Sequence, residues 1–315
     1  FSLPLRMKAL KFIPLALLFV GTSLLVTSCN SKGRDVPKPP NPGGGQLNKI
    51  ERIEITKTKG GRPFLTIIET FDRAHRRLSL IHDQPKQDGT PGSEIIYQET
   101  YSYDASGHLV EQKIYDLGAK QAPLVTKFGY KRDALTHEQV FLRGRDQLDY
   151  EIEYSYDQDR ISGGTKTVYT GSGVAPQQRR LLYNYAGPRL LIKEEIATTH
   201  QIVQATERLY DPLDRLIQES RADYGSLEGE YGLLRRRVHS FSYGILGAPI
   251  LEDKRVYQGK AQTLLSSEKS VVTYSTEGVT PEGWPTRARE ERTVLVGGKS
   301  PIETYSWTIE YTRFK

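Results

Sequence analysis

The chain has 315 residues, 37% of them hydrophobic, a formal net charge of +6 and a mean hydropathy of -0.54. These values argue against a compact α/β enzyme, whereas 19 tyrosines and 28 glycines suit extended two-sided sheets with many turns. The positive charge is spread along the chain, apart from a run of arginines at 235–237. Such an even spread indicates solvated strand faces, and a nucleic-acid partner is not predicted. Attraction to anionic lipid or glycan is the alternative explanation for that charge.

The first 28 residues carry the pattern of a secretion signal. Met7 is the only methionine, which indicates that translation begins there and that residues 1–6 are an upstream extension. Lys8 and Lys11 precede an apolar run over 12–26, which has the length of a signal-peptide core and is too short for a permanent membrane span. We therefore separate this N-terminal unit from the folded part of the chain.

The pentapeptide LVTSC at 25–29 resembles the bacterial lipobox. The resemblance implies that Cys29, the only cysteine, is acylated and attaches the protein to a membrane, because several acyl chains anchor stably. No internal disulfide can form. The unit 29–46 contains four prolines and four glycines after the cysteine, which predicts an extended linker. An aspartate directly after the cysteine typically marks retention in the inner membrane, so Asn30 at this position favours the outer membrane. The residues after Cys29 are not acid-rich, as surface-export signals of the Bacteroides group are, which favours the periplasmic face of that membrane.

The best-preserved structural module is LDYEIEYSYDQDRI at 148–161. Tyr150 and Tyr154 share one face of an extended chain, and Glu151 and Glu153 share the other, which is the two-residue period of a half-buried strand. A turn follows the strand. The pattern therefore predicts a β-hairpin.

Related hairpins recur along the chain from residue 47 onward. The aromatic residues that end the strands are Phe71, Tyr103, Tyr130, Tyr156, Tyr185, Tyr210 and Tyr243, with Tyr274 and Tyr311 as degenerate members. The first seven are 25 to 33 residues apart, which fits two strands and two connections per unit. We predict one all-β domain over 47–315, a large antiparallel meander of about 16 strands that forms a curved sheet or an open or closed barrel.

Turn chemistry supports these hairpins. Asp104, Asp157 and Asp211 have side chains that can bind the backbone two residues on, and Gly107 can adopt a positive φ. Apolar residues then restart the pattern on each return strand: Leu109, Ile161, Leu190 and Leu216. The register of each hairpin is thus expected to be set locally.

Two of the turns carry a family resemblance. YDASGHL at 103–109 and YDPLDRL at 210–216 resemble the Tyr-Asp-x-x-Gly-Arg-Leu core of the YD repeats of Rhs-type proteins and teneurins. Together with the lipobox, these hairpins are similar to secreted lipoproteins of the Bacteroides group that carry a porin-like, open-barrel or curved-sheet domain of unknown function. The resemblance implies a fold and a compartment, and no catalytic residues.

The last strand, ETYSWTIEY at 303–311, is long and regular. It is expected either to close the sheet against the first strand, at 50–55, or to leave an open edge. A transmembrane porin-like barrel is an alternative, but charges at 193–195 and 235–237 interrupt the apolar faces that lipid contact requires.

No reactive constellation stands out. The six histidines are scattered without metal-ligand spacing, and no phosphate-binding or dinucleotide motif is present, so neither a metal nor a cofactor is predicted. Glu99, Glu151 and Glu153 alternate with apolar residues and are expected on solvated strand faces. A dispersed pair of carboxylates for glycoside hydrolysis is the alternative for these acidic residues.

Aromatic side chains are the candidate ligand-facing residues. They are Tyr150, Tyr154, Tyr156, Tyr183, Tyr185, Trp284, Tyr305 and Trp307, for which cross-strand packing in the core is the alternative. The sequence thus favours an outer-membrane-anchored, non-enzymatic binding or scaffolding protein for a glycan, a lipid or an envelope protein. An envelope enzyme acting on carbohydrate or peptide and a transmembrane porin-like barrel are the alternatives.

Overall fold

The computed structural model describes residues 50–314, apart from 87–89, 118–120, 172, 228–229, 244–248, 281–283 and 296–300. Within these residues the regular structure is entirely β. No helix found there is long and apolar enough to cross a membrane. The predicted signal peptide, the lipid attachment at Cys29 and the linker to residue 46 lie outside the described residues.

The β-strands are numbered in chain order. They are β1 (Ile50–Lys59), β2 (Arg62–Phe71), β3 (Arg77–Pro85), β4 (Ser93–Tyr103), β5 (Leu109–Asp116), β6 (Leu124–Lys131), β7 (Ala134–Phe141), β8 (Leu148–Asp157), β9 (Arg160–Val168), β10 (Gln177–Ala186), β11 (Arg189–Ile196), β12 (Ile202–Tyr210), β13 (Leu216–Leu227), β14 (Glu230–Tyr243), β15 (Pro249–Gln258), β16 (Thr263–Tyr274), β17 (Arg287–Leu295) and β18 (Ile302–Arg313).

The strands close into a single antiparallel barrel. Each strand pairs with its neighbours in sequence, and β18 pairs with β1, with Tyr311 opposite Ile53 and Ser306 opposite Thr58. The predicted all-β meander is confirmed, and of the two outcomes expected for the last strand it is closure that occurs. The barrel has 18 strands where about 16 were predicted, because each of the nine units, including the degenerate ones that end at Tyr274 and Tyr311, contributes two strands.

One end of the barrel, which we call the tyrosine rim, carries the strand-ending aromatics at 71, 103, 130, 156, 185, 210, 243, 274 and 311, together with the turns beside them that the structure describes. Some of these turns are closed by an aspartate. Asp211 Oδ1 accepts hydrogen bonds from the backbone N–H groups of Leu213 and Arg215, each at 2.9 Å. The side chain thereby bonds two N–H groups of the turn. Asp104 closes its turn in the same way, and Gly107 has φ 92° there, as predicted.

The hairpin at Asp157 is built differently from this prediction. Asp157 pairs directly with Arg160, so only two residues form the loop, and Gln158 has φ 55°. Two-residue loops with positive φ match the twist of antiparallel strands without help from a side chain. The rim therefore combines two kinds of turn in one repeated architecture.

Hydrogen bonds between successive units join the rim. A strand-ending tyrosine donates its hydroxyl to a carbonyl at or beside the start of the previous unit's return strand: Tyr103 to Arg77 (2.8 Å), Tyr156 to Leu135 (2.7 Å), Tyr185 to Ile161 (3.0 Å), Tyr243 to Leu216 (2.6 Å) and Tyr311 to Pro285 (3.0 Å). The return-strand residues Leu109, Ile161, Leu190 and Leu216 are all buried, as their pattern predicted. Repeated tyrosine bonds and buried aliphatic side chains thus stabilise the rim.

Candidate functional site

Alternate residues of each strand face opposite sides of the sheet. In β8, Tyr150 and Tyr154 lie on the same side as the buried Ile152, whereas Glu153 is exposed on the other side with Glu151. The predicted alternation in this strand is therefore observed. Cross-strand register extends the same two faces from strand to strand.

The better-buried face is the concave inside of the barrel. Lys166 on β9 reaches Glu194 on β11 at 3.2 Å, over the intervening β10. Burial raises the pKa of Tyr150 on β8, and the positive charge of Arg221, five strands away on β13, opposes that rise. Side chains on a convex surface diverge, so interactions across several strands identify this face as the inner one.

Glu138 on β7 is the centre of a first polar cluster on the concave face. Tyr154 donates its hydroxyl to Oε2 at 2.9 Å, and Tyr150 donates to Oε1 at 3.3 Å. Burial raises the pKa of Glu138, while the two tyrosine bonds and the charge of Lys166 act against that rise. The cluster holds a carboxyl group between two aromatic hydroxyls.

A second cluster is centred on Glu194 on β11, four strands further round the barrel from Glu138 on β7. Glu194 Oε1 accepts from Arg179 Nη1 at 2.5 Å, and Oε2 accepts from Lys166 Nζ at 3.2 Å. Lys166 also lies 4.3 Å from the ring centroid of Tyr150. One lysine therefore connects the ionic cluster at Glu194 with the tyrosine cluster at Glu138.

Glu99 on β4 is the clearest correction to the sequence-based expectation. It was expected on a solvated face, but it is 1% exposed and lies on the concave face. Tyr97 and Tyr101 each donate a hydroxyl to one of its oxygens, and Gln112 Nε2 donates at 3.1 Å. A buried carboxylate is stable only when its oxygens are hydrogen-bonded, and these three donors meet that requirement.

A fourth cluster surrounds Glu290 near the closure of the barrel. The carboxylate accepts from Lys57 Nζ at 2.9 Å, Ser270 Oγ at 2.7 Å and Trp307 Nε1 at 3.0 Å. Burial raises the pKa of Glu290, but Lys57 and the two other donors outweigh burial and hold that pKa below its usual value. The carboxylate is therefore ionised at neutral pH.

These four glutamates have little capacity left for chemistry. Each accepts two or three bonds from side chains of the chain itself, whereas a general acid or base must exchange its proton with a bound substrate. Among the described residues, no group of three or more histidine, cysteine, aspartate or glutamate side chains is arranged to hold a metal ion. The four carboxyl groups instead join neighbouring strands of the barrel.

The structure places the predicted ligand-facing aromatics in three environments. Tyr150, Tyr154, Tyr183, Tyr305 and Trp307 belong to the concave face, where Tyr305 donates to Glu303 and Trp307 donates to Glu290. Tyr156 and Tyr185 bind rim carbonyls, and Trp284 packs against Tyr311. Trp284 is 8% exposed and Tyr305 is 3% exposed. A role in ligand binding remains a prediction for the members of the concave face, while the rim tyrosines and Trp284 have evident packing partners.

Several polar residues of the interior were not predicted as site residues from the sequence. Glu138, Lys166 and Glu194 come together only through cross-strand register, which a single sequence does not display. One signal was present: Tyr97 and Tyr101 flank Glu99 at two-residue spacing, and the strand period puts all three on one face.

The convex face is also polar. Glu153 is exposed on the convex face of β8, and Arg289 and Glu291 are exposed on the convex face of β17. The charged runs at 193–195 and 235–237 lie within β11 and β14 and do not interrupt those strands. Charged groups therefore occur on both faces of the sheet.

Fold and interior together define a closed, 18-stranded antiparallel barrel with polar groups inside and outside. No family model and no curated protein sequence matches the chain. Among solved structures, a porin-like protein from Bacteroides uniformis is 12% identical, with a TM-score of 0.35, over 84% of this chain and 98% of that one. A porin-like protein from Bacteroides vulgatus is 11% identical, with the same TM-score and coverage.

A third similar structure is that of TcdB2-TccC3, which is 11% identical over 82% of this chain and 19% of that one, with a TM-score of 0.26. The porin-like Bacteroides proteins named by the sequence resemblance are thus found among the structural neighbours. At these identities and TM-scores the likeness carries no conclusion about function. The lipid anchor and the YD-repeat relationship remain predictions.

Proposed function

We propose that this chain is a lipid-anchored, non-enzymatic barrel of the outer membrane that stands in water and binds or scaffolds another envelope component. The polarity of the convex face carries this proposal. A lipid-facing barrel needs an apolar outer band, and a lysine or arginine at the bilayer midplane costs about 2–4 kcal/mol. Exposed charges on β8 and β17 oppose such a band, so an acyl group on Cys29 is the better membrane contact.

The topology supports an orientation for the anchored barrel. β1 begins at Ile50, and Arg313 at the end of β18 lies opposite Ile50, next to the rim residue Tyr311. The linker at 29–46 precedes this point, so the tyrosine rim would face the membrane. The opposite barrel end would then point into the periplasm, which is the side favoured by the lack of an acid-rich stretch after Cys29.

The anchor is tested by a Cys29→Ser variant in cell fractionation. We expect the wild type in the outer-membrane fraction with incorporated palmitate, and the variant in the soluble periplasmic fraction without it. Ser31→Ala, two residues beyond the cysteine, is the matched control and should behave as the wild type does. A Cys29→Ser protein that resists carbonate extraction from membranes would contradict the proposal.

A transmembrane porin-like barrel is the second candidate. Its support is the closed 18-stranded barrel with strands of 8 to 14 residues, since a spanning strand needs about 9–11 residues. A cysteine at Glu153, in the middle of β8 on the convex face, distinguishes the two candidates. Glu153→Cys should react with a water-soluble maleimide as fast as Asp157→Cys at the rim does if the barrel stands in water, whereas lipid would protect it.

An envelope enzyme is less well supported, because the buried glutamates are occupied by donors of the chain itself. A turnover assay on the sugars that a glycan array identifies as ligands separates binding from catalysis. Binding without turnover is expected. Turnover that a single glutamate substitution abolishes would overturn the non-enzymatic part of the proposal.

A further inference from the structure

A groove of about 430 Å³ crosses the convex face of β13, β14 and β15. Its lining includes Gln218, Arg236, Ser240, Asp253, Arg255 and Tyr257. Cross-strand register places Arg236 opposite Tyr257 and Gln218 opposite Ser240. The groove therefore combines a cation, an aromatic ring and neutral hydrogen-bonding groups within three adjacent strands.

Arg236 has unusual partners for an arginine of this barrel. Its Nε donates to Ser220 Oγ at 2.9 Å, and its Nη1 donates to Gln262 Oε1 at 3.3 Å, so both partners are neutral. The next arginine in the strand, Arg237, donates instead to Asp223 at 2.6 Å. In the part of the chain that the structure describes, no carboxylate forms an ion pair with Arg236.

The other charges of the groove cancel each other. Arg255 donates to the two oxygens of Asp253 at 3.0 Å and 2.7 Å. Arg236 is thus left as one uncompensated positive charge, and its half-buried guanidinium is held in place by its bonds to Ser220 and Gln262. A preorganised guanidinium is well suited to a planar carboxylate, to which it can donate two parallel bonds.

We infer that this groove binds an oligosaccharide that contains a uronate, an acidic sugar with one carboxylate. The single negative charge of a uronate balances the single positive charge of Arg236, whereas a phosphate monoester near neutral pH carries more charge than the groove compensates. Gln218 and Ser240 offer partners for sugar hydroxyls, and the Tyr257 ring offers an apolar surface for a sugar ring. This inference names a ligand class for the binding role and rests on that part of the proposed function.

Calorimetric titration of the full-length acylated protein in detergent tests the inference. The probes are a galacturonate tetrasaccharide, the matching neutral galactose tetrasaccharide and inorganic phosphate. We expect the wild type to bind the acidic sugar, to bind the neutral sugar more weakly by about tenfold or more, and to bind phosphate no better than the neutral sugar. Affinity for the acidic sugar should also fall as salt is added.

Variants locate the binding site. Arg236→Gln keeps an N–H donor near Ser220 but removes the charge, and should weaken uronate binding by about tenfold or more. Arg180→Gln removes an equal charge from an exposed position on the convex face of β10 and should bind as the wild type does. Asp253→Asn removes the carboxylate of the groove and should strengthen binding. Unchanged far-UV circular dichroism checks that each variant is folded.

The inference would be overturned by no binding of the acidic sugar by the wild type, by equal binding of the neutral sugar, or by equal losses in Arg236→Gln and Arg180→Gln. Phosphate binding as tight as uronate binding would show a general anion site and would also refute the uronate assignment. The anchoring experiment on Cys29 does not depend on any of these outcomes. A negative result for uronate binding in the groove is therefore distinguishable from a negative result for the proposed lipid anchor.

Discussion

The two faces of the barrel use the same charged residue types in different ways. On the concave face, the side chains of Lys166 and Glu194 are only 17% and 9% exposed in their ion pair. On the convex face, Arg289 and Glu291 form a 2.8 Å pair whose side chains are 64% and 52% exposed. Exposed pairs contribute little to stability, whereas loss of one partner from a buried pair leaves a charge that water does not solvate. The presence of charged residues therefore does not by itself show which face of the sheet contributes more to stability.

The largest predicted effect comes from breaking the ionic cluster inside the barrel. Glu194→Ala leaves Arg179 and Lys166 without their shared acceptor, and we expect the free energy of unfolding to fall by about 3–5 kcal/mol. Urea denaturation monitored by tryptophan fluorescence measures the loss. Glu291→Ala on the convex face is the matched control, with an expected change of about 0–1 kcal/mol. Equal effects of the two substitutions would refute the structural distinction between the faces.

The second prediction concerns His82, a buried histidine on the concave face of β3. Burial, helped by the charge of Lys57, lowers the pKa of His82 to about 4 from a usual value of 6.5. The unfolded chain therefore takes up this proton at a higher pH than the folded chain does. The stabilising contribution of neutral His82 is complete above pH 6.5, is lost progressively as the pH falls towards 4, and amounts to roughly 3 kcal/mol.

Other carboxylates titrate in the same range, so the measurement for His82 is a difference. The free energy of unfolding is determined from pH 7.5 down to pH 4 for the wild type and for His82→Gln, which has no titrating group at this position. The wild type should lose more stability than the variant over this interval. Parallel pH profiles would show that His82 is protonated alike in the folded and unfolded states.

Features that depend on neighbouring residues were predictable from the sequence. The turn at Asp211 and the return strand from Leu216 follow from residue types a few positions apart, and the faces of β8 follow from its strict alternation. Glu99 was wrongly predicted on a solvated face, because the prediction did not consider Tyr97 and Tyr101, which share the face of Glu99 at two-residue spacing. Contacts such as Lys166 with Glu194 depend on the registers of two strand pairs at once, which one sequence does not contain.

The smallest predicted effect tests the rim, where neutral hydrogen bonds replace the ionic clusters of the interior. Tyr243→Phe keeps the ring, over which Arg215 lies at 4.8 Å, and removes only the hydroxyl that donates to Leu216 at 2.6 Å. We expect a loss of about 1 kcal/mol, the usual contribution of one such bond. Tyr115→Phe, on the convex face of β5, should cost less. A loss at Tyr243 as large as that at Glu194 would mean that the rim bonds act cooperatively, and that the repeated turns contribute as much to barrel closure as the charged interior does.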